Sequence, residues 1–311
     1  MTQAFVFPGQ GSQTVGMGQV LAQTYPEAKA VFDEVDAALG QNLSEIMWNG
    51  QQETLTLTEN AQPALMAVSM AVMRVLEARG LQLADAAAYV AGHSLGEYAA
   101  LTAAGALQLV DTSRLLKLRG QAMQRAVPVG VGAMAALLGL EFLVVVEIAK
   151  EAASETQVCA AANDNANGQV VISGHAEAVE RAIELAKIRG AKRAMNLPVS
   201  APFHCSLMQP AADEMAAALA ETNIKAPSVP LIANVTAEAT QDPELIRKLL
   251  IEQVTGSVRW RESMIWAADQ GVTELLEIGT GKVLTGMARR IDDRLTARAL
   301  NAPEDIQGFA N

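Results

Sequence analysis

The sequence predicts an α/β protein with a mainly parallel sheet, interrupted in mid-chain by a smaller inserted unit. Three observations lead there. Short β-like runs alternate with Ala- and Leu-rich helical stretches along most of the chain. Between Gly132 and Pro198 that rhythm changes. A serine framed by two glycines stands in "GHSLG", between an apolar run and a helical one. At 311 residues, 50% hydrophobic and 18% charged, the chain has the material for a large buried core.

The N-terminal "MTQAFVFPGQGSQ" reads as a first strand, "AFVF", stopped by Pro8-Gly9. It has no basic start, so no signal peptide is expected here. The glycines at 9, 11, 16 and 18 do not match G-x-G-x-x-G, and no Lys-Ser/Thr follows, which excludes a nucleotide-phosphate loop. A tight turn after a first strand can instead offer backbone N–H groups to an oxyanion, with Gln10 best placed. "AAYVA", "PLIANV" and "ELLEI" supply further strands.

Within the insert the order is strand "GAMAALLG", helix "EFLVVVEIAKEAA", strand "QVCAAAN", turn "DNANG", strand "QVVISG", helix "EAVERAIELAKIRG", strand "AKRAMNL". That is βαββαβ, the ferredoxin-like order. Its Pro/Gly-rich ends, "VPVGVG" and "LPVSAPFH", bound a small domain at 128–200, so 1–127 and 201–311 form the large domain with a cleft between the two. The longest apolar run, "VGVGAMAALLGL", is too short to span a bilayer. A net charge of −11 disfavours nucleic acid as a partner. Cys159 and Cys205 have no metal or redox spacing and only three histidines are present, so no metal site is expected. The expected location is cytoplasmic.

"GHSLG" fits G-x-S-x-G, which puts Ser94 on a sharp strand-to-helix turn and makes the large domain hydrolase-like. The hydroxyl then sits at a helix N-terminus, where the N–H of Leu95 can stabilise a developing oxyanion. A structural turn serine is the plainer alternative. A nucleophilic serine needs a base. His93 adjoins Ser94 and should point elsewhere as a packing residue; His175 heads a helix of the insert; His204, on the return segment "PVSAPFHCSLM", lies at the cleft edge and is the expected base.

No acid for a triad is evident. Asp111 reads as the N-cap of "TSRLLKLRGQAM", and Asp164 lies in the polar turn "NDNAN". In "DPELIRKLLIEQVTG", Asp242 caps a helix whose apolar stripe is Leu245, Ile246, Leu249 and Leu250, with Gln253 in its middle. The Gln253 amide oxygen can accept from Nδ1–H of His204, or the side chain can bond backbone or fray into solvent; helical geometry leaves this open. On "TSRLLKLRGQAMQRA", the next helix after the one that follows Ser94, Arg119 falls among Leu115, Leu116, Ala122, Met123 and Ala126. A buried guanidinium must be paired, either with a protein carboxylate or with an anionic substrate.

Taken together, "FPGQGSQ", "GHSLGEYAAL", the Arg119 helix, "PVSAPFH", "LLIEQVTGSVRW" and "EIGTGKVLTGM" resemble the malonyl-CoA:acyl carrier protein transacylases, members of the acyltransferase superfamily of fatty-acid and polyketide synthesis. The likeness runs in order from the first strand to about residue 290. It implies Ser94 as the acylated nucleophile, His204 as base, Arg119 as ligand of the malonyl carboxylate, and Gln10 and Leu95 as the oxyanion hole. It implies at Gln253 a carbonyl that orients His204, and it matches Asn163 and Asn165 to asparagines near the family's cleft. Phe203 matches the phenylalanine of malonyl-selective members, whereas Thr280 stands where "GPGKVL" has proline. The implied reaction is ping-pong malonyl transfer from malonyl-CoA to the phosphopantetheine thiol of holo acyl carrier protein, for fatty-acid synthesis. No resident cofactor is implied, because phosphopantetheine arrives on CoA or the carrier, and a monomer is expected. For an acidic carrier, Lys187, Arg189, Lys192 and Arg193 in "KIRGAKR" offer a basic docking patch. The competing readings are an esterase-type serine hydrolase, which would need the acid not found here, and a non-catalytic carrier-binding protein.

Overall fold

The computed structural model describes residues 2–199 and 201–309; the expected boundary at 200 and the outermost positions 1 and 311 fall outside them. Strand β1 (Gln3–Phe7) lies at the centre of a six-stranded sheet together with β2 (Tyr89–Gly92), β7 (Leu231–Ile232), β8 (Ala239–Thr240), β9 (Glu274–Ile278) and β10 (Thr296–Leu300). The order is β10-β9-β1-β2-β7-β8, parallel except for the β7–β8 pair. Both faces are covered. Phe5 and Phe7 enter one apolar cluster with Leu65 and Val68 of the helix Thr58–Ala78; Ala4 and Val6 enter another with Trp260, Met264 and Leu284. That is why "AFVF" is continuously apolar rather than alternating.

A second sheet, of four antiparallel strands, is built from β3 (Gly132–Leu138), β4 (Cys159–Ala166), β5 (Gln169–His175) and β6 (Arg193–Asn196). The strand order is β4-β5-β3-β6, with the helices Phe142–Ala152 and Ala176–Ile188 between β3 and β4 and between β5 and β6. This is the ferredoxin-like arrangement, with its own apolar cluster of Leu137, Val145, Ile148, Ile172 and Ile183.

β4 ties the second sheet to the stretch 258–261 of the larger unit. Asp164 N–H donates to the carbonyl of Val258 at 2.9 Å, Val258 N–H to Ala162 at 2.8 Å, and the fully buried Asp164 carboxylate pairs with Arg261 at 2.8 Å. Here the structure corrects the sequence reading. Asp164 is not in a turn: the hairpin loop is Asn167-Gly168 alone, with Gly168 at φ 67°, and β4 continues through Ala166. An Asn-Gly pair suffices to close a two-residue hairpin, so the polar residues before it belong to the strand.

Other departures are smaller. Asp111 is the third residue of the helix Leu109–Arg125, whose N-cap is Gln108. Leu245 is exposed, leaving Ile246, Leu249 and Leu250 as the buried stripe of the helix Pro243–Thr255, which Asp242 caps as expected. Of "PLIANV" only Leu231 and Ile232 are regular strand. No helix among the described residues is long and apolar enough to cross a membrane.

Candidate active site

The site starts from the turn after β2. Ser94 has φ 52°, and the chain then enters the helix Gly96–Ala103. Both glycines of the pentapeptide are sterically required. A Cβ on Gly92 would lie 1.9 Å from the carbonyl carbon of Gly96, and one on Gly96 would lie 2.3 Å from the Phe7 oxygen. The left-handed serine is held by Asn234, in the turn that follows β7. Its Oδ1 accepts from Ser94 N–H at 2.8 Å and its Nδ2 donates to the Gly92 carbonyl at 2.7 Å.

His204 arrives on the segment returning from the second sheet, itself at φ 59°. A hydrogen bond of 2.8 Å joins Ser94 Oγ to His204 Nε2. Nδ1 lies 2.9 Å from the backbone oxygen of Gln253 and 3.1 Å from that of Gly256. Two carbonyl acceptors fix the proton on Nδ1, so Nε2 of the neutral ring faces the serine as an acceptor. Burial and the neighbouring Arg119 charge push the His204 pKa down to about 3. The ring is therefore neutral, and able to take a proton, through the ordinary working range of pH.

The orienting carbonyl is the backbone of Gln253, not its side-chain amide, which corrects the side-chain alternative raised by the helical projection. The amide is engaged elsewhere: Nε2 donates to the Ser94 carbonyl at 2.9 Å and to the Glu97 carboxylate, and Oε1 accepts from Arg119 Nη2 at 2.8 Å. Helix position gave the direction of the side chain correctly, since Gln253 is wholly buried, but not its partner.

Arg119 is buried, and no side-chain carboxylate hydrogen-bonds to it among the described residues. Nη1 donates to Gln62 Oε1 at 2.8 Å, Nη2 to Gln253 Oε1 and, at 3.3 Å, to Ser94 Oγ; Nε has no partner. The Tyr98 ring centroid lies 5.8 Å from the guanidinium carbon. Glu97 is near enough to act on Arg119 electrostatically, but its oxygens are bonded to other groups. Of the two readings left open by the sequence, the direct protein ion pair is absent among the described residues.

These groups open onto one cleft of about 460 Å³ between the two sheets. Gln10, Leu95, Phe203, Asn163 and Asn165 all line it. A model of the acyl transferase domain family matches residues 4–293. The chain belongs to the acyl transferase family.

This acyltransferase is 50% identical over 304 residues to the malonyl CoA-acyl carrier protein transacylase of Escherichia coli (strain K12), covering 97% of each chain. It superposes on the acyl-carrier-protein-S-malonyltransferase of Bartonella henselae with a TM-score of 0.97 at 57% identity, over 99% of this chain and 98% of that one. A malonyl-transacylase solved in complex with a type II PKS acyl-carrier protein matches with a TM-score of 0.95 at 43% identity, over 99% and 98%.

The remaining expected residues of the acyltransferase fall as follows. His93 is not only a packing residue: it lines the cleft, its ring lies against Trp260, and its Nε2 is 2.8 Å from Asn165 Oδ1. His175 precedes its helix and its Nδ1 accepts from Val158 N–H. In the basic patch Lys187 pairs with Glu184, and Arg189 with Glu147 and Glu151, which leaves Lys192 and Arg193 as exposed cations with no ion pair among the described residues.

Sequence reasoning missed Gln62, Asn234 and Glu97. Each carried a faint signal, being a polar residue inside an apolar stretch: "NAQPALMA", "LIANV" and "GEYAAL". Such a residue must be hydrogen-bonded once buried.

Proposed function

We propose that the chain transfers a malonyl group from malonyl-CoA to the phosphopantetheine thiol of an acyl carrier protein, through a malonyl ester on Ser94. The observation that carries this reading is a serine hydroxyl 2.8 Å from a neutral histidine and 3.3 Å from a buried guanidinium that hydrogen-bonds to no carboxylate among the described residues. A malonyl group on Ser94 Oγ puts its carboxylate two bonds beyond the acyl carbon, within reach of that cation. The names of the relatives and the carrier complex of one of them support the same donor and acceptor.

In the first half-reaction His204 Nε2 takes the Ser94 proton as Oγ attacks the thioester carbonyl. The oxyanion is received by the backbone N–H groups of Gln10 and Leu95. The tetrahedral adduct collapses by breaking the C–S bond, and CoA leaves as thiol with the proton that His204 carried. In the second half-reaction His204 takes the proton of the carrier's thiol, whose sulfur attacks the ester; the C–O bond breaks and Ser94 recovers its proton. Both steps use one oxyanion site and one base. The backbone carbonyls at Nδ1 fix the tautomer, and a thiolate leaving group demands less help from an imidazolium than an amine would. Malonyl-acyl carrier protein made in this way would supply fatty-acid synthesis.

Steady-state kinetics tests this. Varying malonyl-CoA and holo carrier protein should give parallel double-reciprocal lines, with malonyl appearing on the carrier. Intersecting lines, or release of malonate at the rate of CoA release, would replace the proposal with a ternary or a hydrolytic mechanism.

A further inference from the structure

Glu97 takes no part in the chemistry just described, yet it is buried beside it. It lies in the first turn of the helix after Ser94 and is 1% exposed. Its oxygens are divided between two donors: Oε1 accepts from Asn234 N–H at 2.9 Å, and Oε2 from Gln253 Nε2. Asn234 clamps the serine turn at both ends, and Gln253 holds Arg119 through Oε1 while its backbone oxygen faces His204.

We propose that Glu97 is a positioning residue for the transfer site: through Asn234 it fixes the turn that carries the nucleophile, and through the amide of Gln253 it fixes the guanidinium that reads the acyl carboxylate. This rests on the reading of Ser94 and Arg119 given above.

The argument is one of donors and acceptors. The two groups facing Glu97 are both N–H donors, so the position requires two acceptors, which only a carboxylate supplies at this size. In Glu97→Gln the new amide has one oxygen. The N–H of Asn234 belongs to the backbone and cannot rotate, so that oxygen must serve it, and the new NH₂ then opposes the NH₂ of Gln253. Gln253 can relieve this by flipping its amide. After the flip its NH₂ faces Arg119 Nη2, donor against donor, and its oxygen faces the Ser94 carbonyl. An isosteric change at Glu97, which touches no reacting atom, therefore displaces the cation that selects the substrate. The carboxylate missing from the catalytic group thus directly follows the nucleophile pentapeptide and acts on the amide rather than on the histidine.

The test is the ratio of kcat/KM for malonyl-CoA to that for acetyl-CoA in wild type, Glu97→Gln and Glu97→Asp. Glu97→Asp keeps the charge but withdraws it by one methylene. The ratio is independent of the concentration of active enzyme, so partial loss of folded protein leaves it readable. Loss of one hydrogen bond to a charged group predicts a fall in the ratio of at least about tenfold in Glu97→Gln. In an Arg119→Ala background the same change should move the ratio by less than about twofold, because the group it acts through is gone. A ratio unchanged in both Glu97 variants, or both donors falling equally with and without Arg119, would overturn the proposal and leave Glu97 a structural residue. A wild type that shows no preference for malonyl-CoA would instead refute the reading of Arg119.

Discussion

Replacing Arg119 by alanine should change which acyl group is used rather than abolish transfer. Of its five N–H donors, one on Nη1 is committed to Gln62 and one on Nη2 to Gln253, both at 2.8 Å. The second N–H of Nη1 is uncommitted and that of Nη2 makes only the 3.3 Å bond to Ser94 Oγ, so both can turn to a substrate carboxylate on that serine. Two charge-assisted hydrogen bonds at about 1.5–3 kcal/mol each come to roughly 3–6 kcal/mol, so malonyl transfer should lose about 10²–10⁴-fold in kcat/KM. Acetyl-CoA offers no anion to the cation. In the wild type it must bury a guanidinium whose hydrogen bonds go to two neutral amides and a hydroxyl rather than to an anion, a penalty that alanine removes. Acetyl transfer should therefore fall little or rise, and the malonyl/acetyl ratio should collapse. The assay is kcat/KM for both donors at pH 8, where an imidazole is neutral with or without Arg119 beside it. If the ratio survives, the carboxylate is read elsewhere and Arg119 is only part of the packing.

Gln253→Ala leaves the backbone oxygen at His204 in place. It should spare acetyl transfer while lowering malonyl transfer about tenfold, whereas His204→Ala should suppress both; equal loss of the two donors in Gln253→Ala would mean that the side chain serves the base after all. Because burial and Arg119 hold His204 near pKa 3 rather than 6.5, the pH profile of acylation should carry no histidine limb near 6.5. The unfolded chain binds the extra histidine proton first, so this residue's contribution to stability is present above about 6.5 and is lost as pH falls toward 3. An acylation limb near 6.5 belonging to His204 would contradict a ring desolvated beside the Arg119 charge. Reversing charge at Lys192 and Arg193 should slow transfer to the carrier protein, spare self-acylation from malonyl-CoA, and lose its effect at high salt. The same reversal at Lys187 and Arg189, already neutralised by Glu184, Glu147 and Glu151, should do less; equal damage to both half-reactions would remove the patch from docking.

What could be read in advance was whatever short-range pattern dictates. Fully buried strands announced themselves as apolar runs, and Gly92 and Gly96 announced the turn because no other residue fits there. Helical projection turned Arg119 and Gln253 inward, as found. It could not say what they meet, since a side chain's partner comes from elements remote in sequence: Gln62 lies 57 residues from Arg119, and Asn234 lies 140 from Ser94. The edge strand β10 was not anticipated, because its "TARAL" is half exposed and lacks the apolar continuity of the central strands. Asp164 was misplaced for a related reason. A charged residue looks like loop until its buried partner, Arg261, is known.

The central claim is that Ser94 carries the acyl group between two thiols, and peptide mass spectrometry tests it most directly. Wild-type protein mixed with malonyl-CoA and quenched in acid should show one malonyl adduct, on the peptide containing Ser94. Added holo carrier protein should clear that adduct while the same mass appears on the carrier. Ser94→Ala should acquire none while keeping its fold. Malonyl label that persists in Ser94→Ala, or an adduct lost to water as quickly without the carrier as with it, would contradict the account.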